Sequence, residues 1–264
     1  MIYERPIPLK GDVLKQRIFS PLAYPNVRNA NVIAITAHEA PRYAPHFPIA
    51  WAKREHRFEL AVIRSLLSDG RGHPDASQAA LPFLPALCRA YPFMYEPVAG
   101  ASDGKSKVLT GRRSNYFDAA VADAPTDIGA PICFADGRPT KATAQRVALL
   151  DSAAPLFAAT AAIAVDLAAQ DLFEAWPLRF ENIEGHTLDV SDLWIVKQDA
   201  VLTGALAPVM RTHGLIAADL IGLHRISLFR AGILLANAKT ALKSGPTRAD
   251  DAQLPAIAGT DAPR

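Results

Sequence analysis

The spacing of apolar and polar positions changes its period along this chain, and the change separates two halves. From His56 to Ile63, Phe58, Leu60 and Val62 alternate with Arg57, Glu59 and Ala61, the period of a half-buried strand. Phe47 to Lys53 precedes it closely enough to make the two a hairpin. Asn31 to Thr36 reads as an earlier strand, rich in β-branched residues and bounded by turn formers. Ala37 to Pro48, with Pro41, Pro45 and Pro48, predicts a short helical turn and a loop. From Thr140 the period lengthens. Val147, Leu150, Leu156, Ile163 and Leu167 recur at helical spacing, and Pro155 is expected to kink or divide that run because its ring opposes the Asp151 carbonyl. Leu178 to Asn182 and Thr187 to Val196 then read as strands around the turn Glu184-Gly185-His186. Asp199 to Thr212 predicts a short helix that bends or begins late at Pro208. Gly214 to Lys243 is the last long helix. Its polar residues, Asp219, His224, Arg225, Arg230 and Lys239, are not confined to one face, which predicts cover on more than one side and some paired charges.

Leu81 to Glu96, LPFLPALCRAYPFMYE, carries the densest apolar cluster. Pro82, Pro85 and Pro92 forbid one continuous helix, since each removes a backbone donor and crowds the preceding turn. That much apolar area does not stay in water when burial is worth roughly 25 cal/mol per Å². A helical turn over Pro85 to Ala90 running into a buried extended segment, Tyr91 to Glu96, satisfies both constraints, and the rest of the chain is expected to wrap around it.

The remaining segments are less patterned. Residues 1–30 predict an irregular arm lying on the domain, Ser68 to Pro74 a turn, and Val98 to Lys107 a loop. Val108 to Ile128 has no clear period. Pro131 to Phe134 reads as a short strand ending in the turn Ala135 to Pro139, and Ser244 to Arg264 as a disordered tail. Strands first and helices later make the class α+β, with antiparallel strands in the N-terminal half packed against long helices in the C-terminal half. One domain over residues 1–243 is the expected organisation.

Composition changes this picture little. The chain has 264 residues, 50% of them hydrophobic and 20% charged, with a net charge of +2. So small a charge gives no electrostatic footprint for nucleic acid. The N-terminus holds no apolar run that would serve as a signal-peptide core. Ser152 to Phe173 is the most membrane-like segment, but it is mostly alanine and is interrupted by Asp166, Gln170 and Asp171. A charge at mid-span costs roughly 2.5–3.5 kcal/mol, so a core helix is expected there and no transmembrane segment. A cytoplasmic protein follows, with a protein partner or a small ligand, reaching a membrane only through that partner. Cys88 and Cys133 sit in apolar surroundings and read as buried free thiols or, alternatively, a disulfide.

Candidate chemistry is sparse. Gly100 to Ser106, GASDGKS, resembles a phosphate loop but holds one residue too few between its glycines, and no helix start follows. Backbone amides at that spacing do not cradle a phosphate. Lys105, Lys107, Arg112 and Arg113, with Tyr116, form the densest basic patch, either a solvated face or a weak anion-binding surface. His38, Glu39, His46 and His56 cluster near the first strands, although Ala40-Pro41-Arg42 after Glu39 breaks the helical H-E-x-x-H pattern of zinc proteases. His186, Asp189 and Asp192 lie close on a turn and strand. His38, Glu39, His46, His186 and Asp189 are the candidate metal ligands, set against hydrogen-bonded histidines and turn-capping carboxylates. The sequence does not identify a cofactor. No G-x-S-x-G elbow, post-strand G-x-G-x-x-G or paired C-x-x-C occurs.

The order of features resembles the SapC family of bacterial proteins. Glu39 followed by Phe47-Pro48-Ile49-Ala50-Trp51 is similar to that family's acidic residue and "yPI-aromatic" segment. Phe83-Leu84-Pro85-Ala86-Leu87-Cys88-Arg89-Ala90-Tyr91-Pro92-Phe93 matches its "yvPa-lRryPF" core, and Phe134-Ala135-Asp136-Gly137-Arg138-Pro139-Thr140 its "f-dGrpt" turn before a long helix. Gly214-Leu215 through Ser227-Leu228 to Leu234 resembles its closing pattern. The likeness covers roughly residues 20–240. The family's asparagine and tryptophan ahead of the Pro-Phe segment are replaced here by Gly70-Arg71-Gly72-His73 and Gln78-Ala79-Ala80, so a site lined by them is altered. The transporter permease that shares the family's name is a different protein. The resemblance implies a non-enzymatic accessory or binding protein linked to cell-surface or secretion functions. A metal-assisted enzyme and a structural subunit of a larger complex are the alternatives.

Overall fold

The computed structural model describes residues 2–54, 57–70, 83–95 and 116–244. The N-terminal segment is not an arm laid on the surface. β1 (Pro6–Pro8), β2 (Arg17–Ile18) and α1 (Pro25–Arg28) are woven into the core, and Ile2, Tyr3, Ile18, Tyr24 and Val27 are all buried. The strand partners of β1 and β2 lie more than a hundred residues away, so no local period announces them.

β3 (Val32–Ala34) leads into a 3-10 turn at Ala37–Glu39 and then α2 (Ala40–Tyr43). The expected hairpin forms from β4 (Ile49–Arg54) and β5 (Arg57–Ile63), with Trp51 opposite Leu60 and Ala50 opposite Ala61. The apolar cluster after it folds as read over its described part. α3 (Ala86–Ala90) starts right after Pro85 and gives way to β6 (Phe93–Met94), with Leu87, Cys88, Tyr91 and Phe93 buried. β7 (Tyr116–Asp118), from the stretch without a period, pairs with both β6 and β1.

Asp118, at the end of β7, is fully buried. Its carboxylate accepts the Arg5 N–H at 2.7 Å, the Glu4 N–H at 3.1 Å and the Tyr91 hydroxyl at 2.8 Å. The Tyr91 ring stacks on Tyr3 and meets Tyr24 edge-on, with centroids 5.7 and 4.9 Å away. Burial, then the neighbouring Asp118 charge, pushes the Tyr91 phenol well above its ordinary range. This cluster fastens the N-terminus to the centre.

β8 (Ala130–Pro131) pairs with β2 and is shorter than expected; Cys133 instead bridges to Pro139 across the turn. α4 (Lys141–Ala169) then runs unbroken through Pro155. Pro155 and Asp151 both lie on the exposed side, where the ring disturbs the helix without opening a gap in the core. α4 is long and apolar enough to cross a membrane by length and composition, and here it packs on β5 and α3.

β9 (Phe173–Ala175) and the hairpin of β10 (Leu178–Ile183) and β11 (His186–Val190) follow. The expected strand Thr187 to Val196 is broken at Asp192, which takes a left-handed φ of 61°. The break sends β12 (Leu193–Val196) into the main sheet, antiparallel throughout, in the order β3-β5-β4-β12-β9.

α5 (Gln198–Leu202) and α6 (Ala207–His213) replace one expected helix, with Pro208 in the first turn of α6, where its missing N–H has no partner to lose. The last run divides at a 3-10 turn, Leu228–Arg230, into α7 (Leu215–Ser227) and α8 (Ala231–Lys243). It is not covered on several sides, since Leu215, Ile226 and Phe229 remain 81%, 64% and 87% exposed. The class is α+β as read. One contiguous apolar cluster runs from Ile2 to Ala238, and α7 packs on β4.

Candidate functional site

β3 covers only part of β5. Val32, Ile33 and Ala34 pair with Ile63, Val62 and Ala61, and the Ile35 N–H donating to the Leu60 carbonyl is the last rung. The chain then turns away, and the Ala37 N–H donates to Thr160 Oγ1 of α4 at 2.8 Å. Among the described residues Arg57 to Glu59 is thus left without a strand partner on that side, with α4 running beside it. Between them lies a groove of about 500 Å³, walled by Ile35, Phe58 and Leu60 on one side and Phe157, Ala161 and Ala164 on the other. The space exists because α4 presents alanines. Ala161, Ala164 and Ala168 share a helical face, and leucines there would fill it.

One end of the groove is charged. Arg57 Nη2 lies 2.8 Å from Glu59 Oε1, close in distance but off the hydrogen-bond direction, and Arg57 Nε has no partner among the described residues. Burial raises the Glu59 carboxyl above its usual range, against the opposing pull of Arg57 and Arg54. An apolar slot ending in an unevenly satisfied guanidinium is chemistry for holding a mainly apolar molecule with a hydrogen-bond acceptor at one end.

The residues expected from sequence fall elsewhere. Lys105, Lys107, Arg112 and Arg113 lie outside the described residues, as does the whole loop Gly100 to Ser106 that resembles a phosphate site. Tyr116 is half-buried in β7, opposite Met94 and Pro8. Glu39 is occupied: Oε2 accepts the Thr36 N–H at 2.9 Å and the Thr36 hydroxyl at 3.1 Å, while Oε1 accepts the Ala86 N–H at 2.9 Å. His38 is exposed beside it, and His46 meets the Phe83 ring edge-on at 5.6 Å. His186 and Asp189 sit on β11, opposite Ile183 and Arg179. Among the described residues no three His, Cys, Asp or Glu side chains come together to hold a metal ion. Both cysteines are free, and burial pushes the Cys88 thiol up to about 12.

Glu39 therefore ties β3 to α3. Its replacement by alanine strips the acceptor from two backbone donors, and we expect a loss of about 2 kcal/mol in urea unfolding, with Glu39→Gln losing less.

Sequence reasoning missed the groove. It placed Arg57 and Glu59 on the solvent side of an alternating strand, and the available signal was the alanine run of α4, Ala158 to Ala169, too small-sided to fill its own interface. A family model described as SapC matches residues 16–230, which include the whole groove lining. No curated protein and no solved structure matches the chain.

Proposed function

The chain belongs to the SapC family, and from that premise we propose that it works as a binding protein and not as a catalyst, holding an apolar or amphiphilic small molecule between α4 and β5. The reading rests on one observation, the groove of about 500 Å³ whose walls are aliphatic, aromatic and alanine side chains. Walls of this kind recognise by burial. About 200 Å² of apolar ligand surface gains roughly 5 kcal/mol gross, which association costs reduce to weak, micromolar-class binding. The proposed setting is the cytoplasmic side of cell-surface or secretion functions, where the protein acts as an accessory; the family likeness supports that part.

The test uses a fluorescent fatty acid such as cis-parinaric acid. Saturable one-site binding is expected, lost in the double variant Ala161→Phe/Ala168→Phe. Neither alanine is fully buried, so the larger rings enter the groove without displacing core side chains. Equal binding in the variant, or none in the natural chain, would refute the proposal.

A further inference from the structure

The exposed apolar residues of the last helices are ordered. Along α7, the 3-10 turn and α8, outward positions recur at intervals of four and three, through Leu215, Asp219, Gly222, Ile226, Phe229 and Ile233. Ile233 is 44% exposed and Phe229 87%. Between them Leu220, His224, Ser227 and Leu234 turn into the fold. Intervals of four and three are those of a seam that meets a second helix. Single exposed apolar side chains are ordinary, whereas Ile226, Phe229 and Ile233 bare on successive turns mark a contact surface.

The stripe is complementary to itself read backwards. Two copies crossing antiparallel about a twofold axis between Ile226 and Phe229 set Phe229 against Ile226, and Ile233 against Gly222. Large meets small at that second pair. Within its own chain Gly222 has no need to be glycine, because a Cβ there would meet nothing within 4 Å. Its openness leaves room for a side chain from outside. Charge agrees. Asp219 is the only acidic residue on α7 and α8, and this register brings it opposite Ala236, within a turn of Lys239 of the other copy. Arg225 and Arg230 come near each other across the axis, but the Arg225 guanidinium is turned back to donate to the Val196 carbonyl at 3.1 Å. A parallel arrangement fails on both counts, setting Asp219 against Asp219 and leaving a void at the paired glycines.

We propose that this face joins two copies of the chain in an antiparallel, twofold-symmetric contact through α7 and α8. The inference is independent of the ligand groove. The apolar stripe beside Arg230 and Lys239 also fits an anionic lipid surface, but the fit of Ile233 to Gly222 is something only a shaped partner requires.

Sedimentation velocity of the purified full chain tests it. A reversible monomer–dimer equilibrium is expected, weakened by at least roughly tenfold in Phe229→Asp, whose ring is too exposed for the change to disturb the fold. Gly222→Leu separates packing from folding. It should weaken association to a similar degree while raising the melting temperature of the dilute monomer, because leucine is the better helix former in open space. A chain that stays monomeric at concentrations on the order of 100 µM overturns the proposal. So does a dimer indifferent to both substitutions, or a monomer that sediments with phosphatidylglycerol vesicles through Phe229.

Discussion

Replacing Asp118 with alanine is expected to destabilise the fold by about 4 kcal/mol, a large share of the 5–15 kcal/mol typical of a folded domain. The carboxylate is fully buried and accepts hydrogen bonds from the Arg5 and Glu4 amides and the Tyr91 hydroxyl. Alanine removes the acceptor of the buried Tyr91 hydroxyl and of two part-buried amides, and a group orphaned in the interior costs about 1–3 kcal/mol. The desolvation cost of burying the carboxylate, which the native protein already bears, offsets part of that loss. Asp118→Asn should be milder, because its amide oxygen still accepts while its NH₂ faces the remaining donors. Guanidinium unfolding gives the magnitude. Limited proteolysis gives the place, because cleavage ahead of β2 should accelerate before the sheet opens. A loss below about 1 kcal/mol would show that the N-terminus is held by the packing of Ile2 and Tyr3 and by the Tyr3 hydroxyl, which reaches the Leu87 and Phe93 carbonyls.

The parts of the fold that were legible are those whose period is local. Phe58, Leu60 and Val62 alternate within one strand, and the hairpin they announce is present. Leu150, Ile163 and Leu167 recur within one helix, and they are buried. The N-terminal segment was illegible because its buried residues arrive one or two at a time between prolines, and Pro6 pairs with Asp118, far beyond any window. Pro155 misled in the other direction, since its effect depends on which side of the helix it occupies. In the last helices, scattered polar residues read as burial on several sides. Position decides instead: His224 is buried and Asp219 lies in an exposed apolar stripe, and type alone does not separate them. The groove belongs to neither β5 nor α4 by itself. It arises where β3 ends early and alanines fail to fill the gap, a joint property of distant segments. Glu39 was noticed for the right reason, a carboxylate among histidines, but the backbone donors of Thr36 and Ala86 claim it.

Acidification from pH 6.5 to 4 is expected to cost the native state about 3 kcal/mol through His224 alone. The ring is fully buried and lies edge-on to Trp51, with centroids 4.6 Å apart. Nδ1 donates to the Ile49 carbonyl at 2.7 Å, which leaves Nε2 to accept the Val196 N–H at 3.2 Å. A neutral imidazole thereby ties β4 and β12 to α7. Burial pushes its pKa down to about 4; the Ile49 carbonyl pulls it upward and the Arg225 charge pushes it further down. An unfolded histidine titrates near 6.5. Above that pH both states are neutral and the contribution of His224 is fully present. Between about 6.5 and 4 only the unfolded chain takes the proton, so stability falls as pH falls, by up to about 1.4 kcal/mol per pH unit. Below about 4 both states are protonated and the loss is complete. The difference between the stability–pH curves of the natural chain and His224→Gln isolates this part, because every other carboxylate and histidine cancels. If the variant proves too unstable to measure, the His224 Cε1–H resonance of the natural chain carries the same information. It should stay unshifted down to about pH 5 while exposed histidines titrate. A resonance that titrates near 6.5 in an intact fold would place the ring in contact with water, and the link between sheet and helix would then have to rest on Trp51 and Ser227, whose hydroxyl accepts the Ile49 N–H at 2.9 Å.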